Sequence, residues 1–110
     1  MKVDYMQATS FGNVKTGKVY LQESTVTINN DTTTTVFTMA NGQSGIISAE
    51  GDNSMYAAAF FQYNSSFSGY NFYSLGTGGS ITTWTRNGAN IWLKHNKGFN
   101  SNFKVRVTIF

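Results

Sequence analysis
Between Ile81 and Phe110 the chain alternates apolar and polar residues in three short runs, a period of two that only a strand with one buried and one exposed face can use. Ile81-Thr-Thr-Trp84-Thr-Arg86 faces Ala89-Asn-Ile91-Trp92-Leu93-Lys94 across Asn87-Gly88, and Phe103-Lys-Val105-Arg-Val107-Thr-Ile109-Phe110 runs to the final residue. Gly88 and the Asn96-Lys97-Gly98 segment supply the turn chemistry between these runs. A closing strand of this kind ties the C-terminal residues into a sheet.

The rest of the chain repeats the pattern. Further strands are predicted over 2–8, 18–21, 24–28, 34–39, 45–49, 55–63 and 70–75, with the last three runs placed at 81–86, 89–94 and 102–110. Loops rich in turn formers separate them, among them Asn29-Asn30-Asp31, Ala40-Asn41-Gly42 and Gly76-Thr77-Gly78-Gly79. Ala57-Ala58-Ala59 favours helix by propensity, but the run is short and bounded by turn residues, so a crowded central strand is expected there. The sum is an all-β, antiparallel β-sandwich or jelly-roll-like head, a single domain over 1–110 in which 1–24 is either an added strand or a link to an upstream shaft.

Composition bounds the chemistry. Ser, Thr and Asn number 37 of 110 residues while charged residues make up 12%, about half the usual share, which implies a folded surface that is polar but uncharged. With no cysteine there are no disulfides, thiolate metal sites or cysteine nucleophiles, and a small domain then leans on packing or oligomerisation. The net charge of +3 is spread over eight cations, too diffuse for nucleic acid, although Arg86 to Arg106 holds five of them and no acid. No apolar run reaches membrane-spanning length, so membrane insertion is not expected.

No catalytic set, cofactor site or metal site is expected either. His95 is the lone histidine, and the five acids Asp4, Glu23, Asp31, Glu50 and Asp52 are scattered. Glu50-Gly51-Asp52-Asn53 gathers two carboxylates and an amide, short of the ligand count of a calcium loop, and an ordinary turn is the simpler reading. The aromatic pattern is more telling. With Ile91 and Ile81 facing the core, Trp92 and Trp84 would both face outward on one hairpin, beside Arg86, Asn87 and His95. Indole faces flanked by such donors suit a sugar ring and its hydroxyls; the alternative puts both tryptophans in the core or against another subunit. Tyr70 and Tyr73, with Tyr63, surround the 64–69 loop and form a second cluster of binding-surface composition.

The succession from Thr25 onward resembles the C-terminal receptor-binding modules of bacteriophage tail fibres and related tail proteins. It runs through Val26-Thr-Ile28, Gly45-Ile46-Ile47-Ser48-Ala49, Tyr56-Ala-Ala-Ala-Phe60 and the Gly76 to Gly79 turn, then Ile81-Thr-Thr-Trp84, Ile91-Trp-Leu93-Lys-His-Asn96 and Val105-Arg-Val107-Thr-Ile109. The resemblance implies a sandwich tip, a homotrimer on a fibre shaft, that attaches a virion to saccharide on the bacterial surface. A non-binding assembly component of a tail or appendage, and a small secreted lectin or carbohydrate-binding module, are the alternatives.

Overall fold
The structure, a computed structural model, describes residues 20–52, 54–64 and 69–110. They form eight strands: β1 (Tyr20–Ile28), β2 (Thr34–Thr38), β3 (Ser44–Glu50), β4 (Tyr56–Asn64), β5 (Gly69–Gly78), β6 (Ile81–Asn87), β7 (Asn90–His95) and β8 (Ser101–Ile109). One sheet has the order β1-β8-β3-β4-β5 and the other the order β2-β7-β6, with every pairing antiparallel. The expected all-β sandwich is therefore the fold. The runs predicted at 18–21 and 24–28 join into the single strand β1, and the strand predicted over 2–8 lies outside the described residues.

The winding is jelly-roll-like at the chain ends only. β1, β8 and β3 sit together in one layer and β2 and β7 in the other, so that end of the chain interleaves the sheets. β3, β4 and β5 then continue as a plain meander on the first sheet. Tight connections enforce this: Gly51 donates its amide to the Met55 carbonyl at 2.9 Å, turning β3 back onto β4. The chain leaves this meander for the other sheet between β5 and β6, where Gly79 has φ +74 and a Cβ would lie 2.9 Å from Met55, so only glycine fits the corner.

Alternation places the core. Phe103, Val105, Val107 and Ile109 of β8, Ile47 and Ala49 of β3 and Ala57, Ala59 and Phe61 of β4 are buried against Ile91 and Leu93 of β7. The alanines of β4 are strand residues after all, because the strand is paired on both sides and its inner face leaves no room for longer side chains beside Phe61. Phe37 of β2 meets Phe61 across the layers, with ring centroids 5.4 Å apart. After Ile109, the Phe110 amide donates to the Ser44 carbonyl at 2.9 Å, so the C-terminal residue is held to the sheet.

Candidate functional site
The two sheets are joined along one side by side chains where a closed barrel would have a ladder. β5 ends the five-stranded sheet and β6 ends the three-stranded one, so each strand has one edge unpaired among the described residues. Antiparallel passage from the Gly79 corner brings the start of β5 beside the end of β6. There the Trp84 ring meets Phe72 edge-on at 5.4 Å, and the Arg86 guanidinium lies 5.1 Å from the centre of the Tyr70 ring. Tyr70 in turn stacks on Tyr63, its register partner on β4, with ring centres 4.3 Å apart and planes 8° from parallel.

Beyond this stack opens a cleft of about 370 Å³ lined by Tyr70, Asn71, Phe72, Tyr73, Thr85 and Arg86. Tyr70, Phe72 and Tyr73 contribute the aromatic part of the lining, while Asn71 and Thr85 offer an amide and a hydroxyl, groups that can both donate and accept. The Tyr70 hydroxyl is held above the ordinary phenol range, first by its hydrogen bond with Tyr63 and then by desolvation, while the positive charge of Arg86 pulls the other way. Arg86 takes part in none of the ion pairs among the described residues, which join Lys94 to Asp31 and Arg106 to Glu23 and Glu50.

Of the residues expected to bind, Arg86, Tyr70 and Tyr73 are brought together here. The tryptophans are not. The β6–β7 register shifts between Ile81 and Thr83, so that Ile81 pairs with His95 but Trp84 pairs with Leu93. The extra residue reverses the alternation, and Trp84 turns inward, where its Nε1–H donates to the Ala58 carbonyl at 3.0 Å. That carbonyl stands where the β4–β5 register also shifts, so the indole meets the ladder beside its irregularity. Trp92 does face outward, half-buried, between its register partners Thr35 and Thr85. The two indoles therefore occupy opposite faces of the three-stranded sheet and share no surface.

His95 is also relocated. Expected at an exposed edge, it is 0% exposed and packs against Phe103 with ring centres 5.6 Å apart. The Lys97 amide donates to Nδ1 at 3.2 Å, which assigns the proton to Nε2, and Nε2–H donates to the Ile28 carbonyl at 2.9 Å. Both ring nitrogens are thus engaged: Nε2 fastens the end of β7 to the end of β1, and Nδ1 holds the loop that follows β7. Asn87 pairs with Asn90 at the tip of the β6–β7 hairpin, exposed and outside the cleft lining.

The carboxylates of the 50–53 turn serve separate partners. Glu50 accepts from Arg106 Nη1 at 3.0 Å, and Asp52 accepts from the Ser101 hydroxyl at 2.9 Å. Arg106 also donates from Nε to Glu23 at 2.9 Å, and these two bonds raise its pKa further. This bridges β1, β8 and β3 on the outer face of the larger sheet.

Sequence reasoning did not find Asn71, Phe72 and Thr85. The signal available was the flanking of the 64–69 loop by Tyr63 and Tyr70, which marks a cross-strand aromatic pair, and the cleft residues on β5 follow that pair directly. No family model, curated protein or solved structure matches this chain.

Proposed function
We propose that this protein is a non-enzymatic receptor-binding head of a phage tail fibre or related tail protein, which attaches to saccharide on the bacterial surface. The observation that carries the reading is the cleft between β5 and β6, where the exposed Tyr73 offers aromatic surface beside Arg86, Asn71 and Thr85. Sugars present both a C–H face and a ring of hydroxyls, and this lining matches both. A shallow site of this size binds weakly by itself, so the proposal includes a homotrimer in which several clefts engage one surface together. Strand-borne side chains on a sandwich give such a site rigid support.

One observation favours a second reading, an assembly component that meets other subunits. On the outer face of the five-stranded sheet, Leu21, Thr108, Ile46, Phe60 and Tyr73 are successive register partners across all five strands. Leu21 is 70% exposed, Ile46 41% and Tyr73 57%, and the Phe110 ring joins the row 6.4 Å from Phe60. A largely apolar row of this kind, broken only by Thr108, is characteristic of contact surfaces.

One experiment separates the two. Labelled protein is applied to an array of bacterial surface polysaccharides and to whole cells, with light scattering on the same sample. The receptor-binding reading expects saturable binding to one glycan type by a species of trimer mass. A folded oligomer that binds no glycan and no cell overturns it and leaves the assembly reading.

A further inference from the structure
We infer that the saccharide taken by the β5–β6 cleft is acidic, and that its anionic group, a carboxylate or a phosphodiester, is read by the Arg86 guanidinium. The inference rests on the saccharide-binding reading and narrows it to a chemical class.

Arg86 is the only cation of the lining, and no acid lines the cleft. The four described acids are committed elsewhere: Glu23 and Glu50 accept from Arg106, Asp31 is paired with Lys94 at 3.6 Å, and Asp52 accepts from Ser101. Nothing among the described residues neutralises the guanidinium, which is half-buried and backed by an aromatic ring. That ring is itself fixed by its stack on Tyr63. A guanidinium laid over an aromatic face is restricted in orientation while its N–H fork stays free at the rim, so less rotamer entropy is lost when it binds. Two parallel N–H groups match a two-oxygen anion, and such charge-assisted pairs are about twice as strong as neutral ones. The hydroxyls of a neutral sugar could accept from Arg86 as from Asn71 and Thr85, but would leave its positive charge unmatched. The volume, about 370 Å³, lies at the small end of ligand clefts, which fits one or two sugar rings and not a long buried chain.

The test uses paired probes that differ in the anionic group: hyaluronan against its carboxyl-reduced form, sialyllactose against its carboxyl-reduced form, and poly(glycerol phosphate) against uncharged polyglycerol. Binding is read by calorimetry or biolayer interferometry with the full chain. The expected result is that at least one acidic probe binds roughly tenfold or more tighter than its neutral partner. Arg86→Gln should bring the two members of that pair level, and Arg86→Lys, which keeps the charge but not the fork, should restore part of the difference. The carboxylate and phosphate arms identify the source of the anion. Equal binding of the acidic and neutral members overturns this inference and leaves the saccharide reading standing; no binding in any arm overturns both. Because the comparison is made on the ligand side, it stands even if an Arg86 variant fails to fold.

Discussion

Tyr70 lies between two neighbours with opposite effects on its proton. The hydrogen bond with Tyr63 holds the phenol in its neutral form and is the largest influence, while the Arg86 cation favours the phenolate. Spectrophotometric titration of tyrosinate should therefore show one tyrosine ionising above the ordinary phenol range. Tyr63→Phe should shift that transition to lower pH, and Arg86→Gln should shift it to higher pH; a transition unmoved by either change would contradict the stacked arrangement. The ingredients of this trio were partly readable. Tyr63 and Tyr70 flank one loop, so their pairing across a hairpin follows from position, but Arg86 is sixteen residues further along and on the other sheet. Period and spacing carry no information about contacts between layers. The same limit explains His95, whose polar ring at the end of an alternating run reads as exposed until its two backbone partners are seen.

At the level of the element, alternation correctly assigns β7 and β8, where Ile91, Leu93, Phe103, Val105, Val107 and Ile109 all face the core. It fails in β6 for a specific reason. A bulge adds one residue and inverts every side chain beyond it, and Ile81-Thr82-Thr83-Trp84 contains no glycine or asparagine to announce one. β2 shows the same effect at Val36, where the shift against β7 turns both Val36 and Phe37 towards the core. The bulge in β6 is open to direct test. In a Trp92→Phe background, Trp84 is the only indole, and deleting Thr82 takes out the extra residue, so that Ile81 and Trp84 stand two positions apart and both keep the inner face by strict alternation. The expected outcome is tryptophan emission that stays blue-shifted in the deletion variant, while Trp84→Ala costs roughly 3 kcal/mol, as truncating a packed tryptophan does. Red-shifted emission on deleting Thr82 would show that Thr82 is not the extra residue of the bulge.

For the whole molecule, the site follows from how the sheets are joined. Five strands face three, and the crossing from one layer to the other at Gly79 leaves β5 and β6 side by side without a ladder between them. Phe72, Trp84, Tyr70 and Arg86 close the inner part of that seam, and the cleft occupies its outer part. The sandwich class was legible from many short strands and the absence of any long helical period. The division into five and three strands was not, because sheet membership is decided by which edges meet after the turns are made. For that reason the expected binding edge, built on two tryptophans of one hairpin, gives way to a seam between two sheets.

Ligand binding at the β5–β6 seam, as proposed, can be followed residue by residue by nuclear magnetic resonance. A ¹⁵N-labelled sample would be titrated with the acidic glycan that binds best, following backbone amides and the Arg86 Nε–H. Saturating shifts are expected at Tyr70, Asn71, Phe72, Tyr73, Thr85 and Arg86 and their immediate neighbours, and nowhere else. Shifts centred on the outward face around Trp92, or on the Leu21–Ile46–Phe60 row, would contradict the proposal.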